Sequence, residues 1–282
     1  MKVIWVYENI KGDNSFYTKL DTLLLISSGV QWKKHHPQYS TTLYCDKLTK
    51  TFLKDLNALD TWNQVIILPT NKSIDKSIFW ASSKLEVLRN IKESVLIMDH
   101  DFLVYRNISN LFSDKHLFAH EENGVQYYPT ANDPFIQEVS DLLPRPKPYA
   151  VNCCFSFFPD YRFANKYAEF SLELMYRFTK LKVPNSKFLI FAEQLALKHL
   201  LDYHKVEYDT LMKEVFLANE RKFVSCDKGL IPKEETYKYF KHYWMDKPRI
   251  RKDETCIEYI NLKKIVGNNK GIKLEKLNDL RP

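Results

Sequence analysis

The stretch Ser94-Val95-Leu96-Ile97-Met98-Asp99-His100-Asp101-Phe102-Leu103-Val104 constrains the fold more than any other part of the chain. Apolar residues run straight into two carboxylates one residue apart. A short apolar run of this kind reads as a buried parallel strand, which is covered on both faces and needs no polar alternation. Ligands of open α/β sheets collect beyond the carboxyl ends of such strands. Asp99 and Asp101 therefore stand where a ligand would, and two oxygen donors there suit a divalent cation such as Mn²⁺ or Mg²⁺. The same pair also suits a plain turn, because Asp caps turns through its own side chain. Taken alone, the stretch leaves both readings open.

The residues before it repeat a strand-helix rhythm. Lys2 to Tyr7 reads as a first strand. Asp13, Asn14 and Ser15 offer N-cap chemistry for a helix from about Phe16, with Leu20, Leu23, Leu24 and Ser27-Ser28 facing inward. That helix is expected to end near Gly29 or to run weakly on towards Pro37, with His35 and His36 on the surface. Thr41 to Cys45 is a second strand, Leu48 to Leu56 a helix, and Val65 to Leu68 a third strand stopped by Pro69. Ser77 to Ile91 reads as a helix, with Ile78, Ala81, Leu85 and Leu88 on one face and Lys84 and Arg89 elsewhere. Closed by Ser94 to Met98, the series predicts a parallel, right-handed, doubly wound half-domain.

After Asp101 the pattern loosens. Short elements are expected at 107–112 and 117–120, followed by a proline-rich stretch from Tyr127 to Pro148. Loops of that length are often functional. Ala150 to Phe158 reads as one strand and Tyr161 to Phe178 as a long helix with an aromatic stripe. Ile190 to Tyr203 is another helix, carrying Glu193 and Gln194 in its first turn. His199 and His204 sit five apart, on different helix faces, and read as structural or exposed. Phe216 to Ala218 and Phe223 to Ser225 are short strands. Gly267 to Gly271 is a turn before a last basic segment.

Composition narrows the class. At 282 residues with 45% hydrophobic and 27% charged residues, the chain is an ordinary globular protein. No apolar stretch approaches the ~18 residues of a membrane span. The apolar start is too short for a signal peptide. The five cysteines (Cys45, Cys153, Cys154, Cys226, Cys256) show no CxxC spacing. A structural zinc is therefore not expected, and a reducing, cytoplasmic setting is. Of the net charge of +7, +6 lies between Lys238 and Pro282, where 12 Lys and Arg face 6 Asp and Glu. A charge so local argues against nucleic acid as a partner. A diphosphate, an anionic membrane face or nothing but solvent remains, a charge run being usually a solvated face, with Lys263, Lys264, Lys270 and Lys273 as the peripheral contact if a membrane is met.

Four features follow one another: the strand into Asp99-His100-Asp101, Val151-Asn152 before an aromatic run, Glu193-Gln194 on a helix, and His242-Tyr243-Trp244 with Lys247. This order resembles the GT-A glycosyltransferases, in particular the family that includes glycogenin and bacterial galactosyltransferases. The resemblance covers most of residues 1–250 as scattered short motifs. It implies a Rossmann-like mixed α/β sheet flanked by helices, in a single domain over 1–250 with a basic C-terminal extension at 251–282. Residues 1–105 would form the nucleotide-binding half and 106–250 the acceptor half.

Carried over residue by residue, the resemblance makes Asp99, Asp101 and His242 the ligands of Mn²⁺ or Mg²⁺, with Asp99 also near the ribose. Lys247 would meet the diphosphate, Tyr7 the uracil ring of a UDP-sugar, and Lys84 the sugar or phosphate. Glu193 would be the acid near sugar and acceptor, and Asn152 would lie beside the acceptor. The chain departs from the pattern in three places. Lys247 follows His242 by five residues where the motif has six, Met245 replaces a glycine, and Cys154 replaces another. The implied activity is transfer of a sugar from a nucleotide-sugar to a glycan, lipid-linked or protein acceptor.

Two other readings use the same residues. Asp99-His100-Asp101 also resembles the haloacid-dehalogenase phosphatase signature, with Asp99 as nucleophile and Asp101 as acid/base. Those enzymes carry the motif on the first strand, whereas three strand-helix units precede it here, and Leu103 takes the Thr/Val position. A non-catalytic protein of the same fold, binding through the basic tail, is the third reading.

Overall fold

The computed structural model describes residues 1–9, 19–69, 73–124, 128–143, 147–269 and 271–279. In chain order it opens with β1 (Lys2–Tyr7), α1 (Lys19–His35), β2 (Ser40–Cys45), α2 (Lys47–Asp55), β3 (Gln64–Ile67) and α3 (Ser82–Leu88). Next come β4 (Val95–Met98), β5 (Phe102–Val104), β6 (His116–Phe118), β7 (Glu121–Asn123), α4 (Pro134–Gln137), β8 (Tyr149–Val151) and β9 (Phe155–Phe158). Then follow α5 (Tyr161–Leu181), α6 (Lys187–Ile190), α7 (Ala196–Tyr203), β10 (Tyr208–Thr210), β11 (Glu214–Leu217) and β12 (Lys222–Ser225). The chain closes with α8 (Lys233–Tyr239), β13 (Phe240–His242), α9 (Lys247–Lys252) and α10 (Ile257–Gly267).

The chain divides into two compact units. One comprises 1–68, 97–110 and 236–282, and the other 69–96 and 111–235. The largest sheet is mixed, with parallel and antiparallel pairs. In the first unit β1 pairs in parallel with β2, and β2 with β3, as the strand-helix rhythm predicts. Along α1, Leu20 to Gly29 are all buried and α10 lies against the helix. The basic tail thus contributes a packed helix to the first unit.

α1 does not stop at Gly29. A Cβ there would sit 2.6 Å from Thr61 Cγ2 and 3.0 Å from the Trp62 ring. The glycine is therefore a place of close approach rather than a helix end. The expected N-cap at Asp13, Asn14 and Ser15 lies outside the described residues. His36, expected on the surface, is fully buried. Its ring stacks on Trp32 at 3.9 Å, and its Nε2 accepts the Ile108 N–H at 2.9 Å.

In the second unit β6 pairs in parallel with β10 and antiparallel with β9. A separate sheet runs in the order β12-β11-β7-β8. The single strand expected over 150–158 is thus two, belonging to different sheets and hinged at the turn Asn152–Cys154. The helix expected over 77–91 is reduced to α3, whose seven residues are all buried. α5 begins at Asp160, whose carboxylate caps the Arg162 N–H, and ends on Lys182 in a left-handed conformation. α6 and α7 are joined through a π-helical segment, Phe191–Leu195. Glu193 therefore sits in mid-helix rather than in a first turn, and the helix dipole is not what holds it. No helix among the described residues is long and apolar enough to cross a membrane.

Candidate functional site

The site in the first unit is built on the turn between β4 and β5. Val95–Met98 are buried as a run, and Asp99, His100 and Asp101 follow before the chain re-enters a strand at Phe102. The turn is anchored from beneath by a buried relay. Trp5 Nε1 donates to Ser28 Oγ at 2.9 Å, and Ser28 Oγ donates to the Phe102 carbonyl at 2.7 Å. β13 pairs antiparallel with β5, placing His242 opposite Phe102. The Tyr243 N–H then donates to the Asp101 carbonyl at 2.9 Å. A strand about 140 residues downstream thus delivers the histidine to the turn.

Asp101 is 5% exposed and faces an ammonium and an imidazole. Lys247 Nζ lies 2.8 Å from its Oδ2, and His242 Nε2 lies 3.5 Å from its Oδ1. Burial alone would raise the Asp101 pKa, but Lys247, His242 and His100 together hold it well below the usual carboxylate range. Burial likewise works against the Lys247 charge, yet Asp101 and Asp21 keep its pKa above the ordinary lysine value. Asp21 completes the cluster from the first turn of α1. Its Oδ1 is 3.4 Å from Lys247 Nζ, and its Oδ2 is 2.7 Å from Arg251. His100 Nε2 accepts from Lys247 Nζ at 3.0 Å, and the His100 ring meets Tyr7 edge-on at 5.1 Å. Tyr7, His100, Asp101, His242 and Lys247 are therefore one group.

Asp21, His100 and Arg251 were not expected in it. Asp21 had one legible signal, as an acid at the start of a helix otherwise lined by leucines. His100 carried none, since a residue between two carboxylates reads as a spacer.

The other predicted residues lie in the second unit. Lys84 of α3 and Glu193 of the π-helical segment form a buried ion pair at 2.5 Å, and Lys84 also donates to the Cys153 carbonyl at 3.3 Å. The π turn rotates Glu193 off the regular helical register, a local irregularity common at functional positions. Asn152 is 5% exposed and fully engaged by protein. Its Nδ2 donates to Glu122 Oε1 at 2.6 Å, and its Oδ1 accepts the Cys154 N–H at 3.0 Å. Glu122 also accepts from Tyr128 at 2.8 Å and faces His120 Nε2 at 3.4 Å. Burial would raise the Glu122 pKa, and its bonds to His120, Asn152 and Tyr128 outweigh that and lower it. Asn152 thus fixes the turn and Glu122, a carboxylate the sequence did not single out.

A divalent cation at the strand end would draw on Asp99, Asp101 and His242. Among the described residues, no three His, Cys, Asp or Glu side chains are grouped to hold one. Chemically the set fits: Asp101 and His242 present an oxygen and a nitrogen 3.5 Å apart, and Asp99 adds a carboxylate at the end of β4. Lys247 is the group that holds the Asp101 oxygen in this structure.

No family model matches the chain, and no curated protein matches it in sequence. Solved structures do. A galactosyltransferase, LgtC, in complex with donor and acceptor sugar analogues aligns over 99% of this chain and 100% of its own, with a TM-score of 0.55 at 11% identity. An active-site mutant of the same enzyme aligns with a TM-score of 0.54 at 11% identity, over 99% of this chain and 100% of its own. The fold is that of the GT-A glycosyltransferases. Within a GT-A chain, the carboxylate pair after β4 stands at the carboxyl end of a strand, where ligands of such sheets bind.

Proposed function

We propose that this protein transfers a sugar from a UDP-sugar to a glycan, lipid-linked or protein acceptor, in a reaction that depends on Mn²⁺ or Mg²⁺. The observation that carries the reading is the delivery of His242 and Lys247 by β13 and α9 to the carboxylates that follow β4, within a GT-A fold. Asp99, Asp101 and His242 would hold the ion, which when bound supplies Lewis-acid stabilisation to the departing diphosphate. Lys247 is a positive charge already fixed in the same place. An ordered ammonium costs no reorganisation as charge builds on the leaving group. Tyr7, packed edge-on to His100 at the end of β1, offers a ring to the base. In the second unit Glu193 is a carboxylate made rigid by Lys84, suited to orienting sugar hydroxyls. Asn152 acts through Glu122 and the turn, as a positioning residue.

The experiment is a screen of UDP-sugars for hydrolysis without acceptor, with and without Mn²⁺. Metal-dependent release of UDP is expected, and Asp99→Ala should lower it by ~10²-fold or more with the melting temperature unchanged. Release of inorganic phosphate from p-nitrophenyl phosphate, with no UDP-sugar hydrolysed, would favour the phosphatase reading. Metal-dependent binding of UDP without turnover would favour a non-catalytic protein.

A further inference from the structure

The ammonium of Lys247 lies among groups that would also attract a metal ion. Asp101 Oδ2 is 2.8 Å from it, His100 Nε2 3.0 Å and Asp21 Oδ1 3.4 Å. All four residues belong to the first unit, and the lysine side chain is only 15% exposed. Carboxylate oxygens and an imidazole nitrogen are donors of the kind a divalent cation uses, spaced here for an ammonium. A divalent cation and the ammonium cannot both sit close to Asp101, because like charges repel strongly where little water screens them. A cation taking Asp101 therefore requires Lys247 to give up the oxygen it holds.

The structure provides a second acceptor for that ammonium. Asp21 stands in the first turn of α1, and its side chain is 11% exposed. Arg251 grips its Oδ2 at 2.7 Å, which fixes the carboxylate with Oδ1 towards Lys247. Lys247 and Arg251 are four residues apart on α9, so one helix carries both cations to the same carboxylate. The 3.4 Å between Lys247 Nζ and Asp21 Oδ1 exceeds a charge-assisted hydrogen bond by only ~0.5 Å. A small movement of the ammonium away from Asp101 turns this looser contact into a full ion pair. Arg251 opposes the movement, since it already draws on the charge of Asp21.

We propose that Lys247 is a resident counter-ion that competes with the divalent cation for Asp101, and that Asp21 is the positioning residue that receives the ammonium when the cation binds. The inference rests on the metal-dependent reading of the site and adds that a carboxylate acting through Lys247 sets the metal affinity. The same lysine then resists the cation alone and assists it once a diphosphate offers the ammonium another anion.

The test is Mn²⁺ binding to the full chain without nucleotide, followed by the electron paramagnetic resonance signal of free Mn²⁺. Lys247→Met should tighten binding about tenfold and Asp21→Asn weaken it about tenfold, as residues coupled in one charge network do. The double variant should bind like Lys247→Met, because Asp21 acts only through the ammonium. UDP affinity at saturating Mn²⁺ should move the opposite way in Lys247→Met, weakening, a reversal of sign that a general loss of structure does not produce. Lys247→Met also strands the Asp101 charge and loses stability, so Arg251→Gln, at a side chain 39% exposed, is the second probe. With Asp21 left to Lys247 alone, Mn²⁺ binding should tighten in Arg251→Gln, and adding Asp21→Asn should abolish that gain. Unchanged Mn²⁺ affinity in Lys247→Met overturns the inference, as does an Arg251→Gln gain that persists without Asp21. A double variant as weak as Asp21→Asn also overturns it, by making Asp21 a ligand. A parent protein that takes up no Mn²⁺, with or without UDP, overturns metal dependence itself and this inference with it.

Discussion

Asp101→Asn is the most informative single change, because the structure gives this residue two tasks. The side chain is 5% exposed and its Oδ2 lies 2.8 Å from an ammonium whose own side chain is 15% exposed. Asparagine keeps the shape and removes the charge, leaving Lys247 with Asp21 at 3.4 Å, a carboxylate already shared with Arg251. Removing one partner of a buried pair costs about 3–5 kcal/mol. Asp21 still faces the ammonium, which places the expected loss near the lower end, ~3 kcal/mol. For a chain of this size that corresponds to a fall in melting temperature of roughly 6 °C or more.

The pH dependence follows from the same geometry. The folded-state pKa of Asp101 is depressed, so its contribution is complete above the unfolded carboxylate pKa near ~4 and is lost as pH falls towards the folded value. Thermal melts from pH 7 to pH 3 should show this slope in the parent protein and a weaker one in Asp101→Asn. Adding Lys247→Met should recover at least half of the lost stability, since the stranded charge goes with it. A single variant melting within about 2 °C of the parent at pH 7, or a double variant no better than the single, would refute the buried-pair account. A simple metal ligand could be removed without unfolding the domain. Loss of Asp101 costs stability as well, and turnover in its variants must be read beside that loss.

Two further predictions concern other buried groups. In a double-mutant cycle, Lys84→Met and Glu193→Gln should couple by about 2–3 kcal/mol, and a coupling below ~0.5 kcal/mol would mean the pair is not formed in solution. The pKa of His36 is pushed down to about 4, chiefly by burial, so the folded state resists its protonation. That contribution is complete above the unfolded value near ~6.5 and is lost as pH falls through about 4, by up to ~3 kcal/mol. His116, lowered to about 4 by burial, acts in the same window. His36→Phe should therefore reduce, but not abolish, the loss of stability between pH 6.5 and 4, as read by denaturant unfolding. An unchanged slope would place His36 in contact with solvent.

Much of this architecture is written in local pattern. The buried run Val95–Met98 ending in two carboxylates, the parallel set β1, β2 and β3, and the long helix α5 all follow from periodicity and breakers. The misreadings share one cause. His36 and Glu193 were assigned by local rules for exposed imidazoles and helix first turns, and the same rules left Gly29 open between a helix end and a helix running on. Contacts with residues remote in sequence decided otherwise: Thr61 and Trp62 against Gly29, Ile108 against His36, and Lys84 against Glu193. The strand expected at 150–158 failed in the same way, because two sheets claim its two ends.

The carboxylate pair after β4 illustrates the division. Its residue types, its apolar approach and its place after three strand-helix units are properties of the sequence, and they determine that oxygen donors stand at a strand end. Which groups answer them is a matter of tertiary structure. β13 must pair with β5 to bring His242 within 3.5 Å of Asp101, and α1 must present Asp21 before Lys247 has two carboxylates to hold it. Electrostatic energy depends on separations of a few ångströms between buried charges. Spacing along a chain carries no such distances, so the cluster's composition, its charge balance and the pKa of Asp101 appear only when the chain has folded.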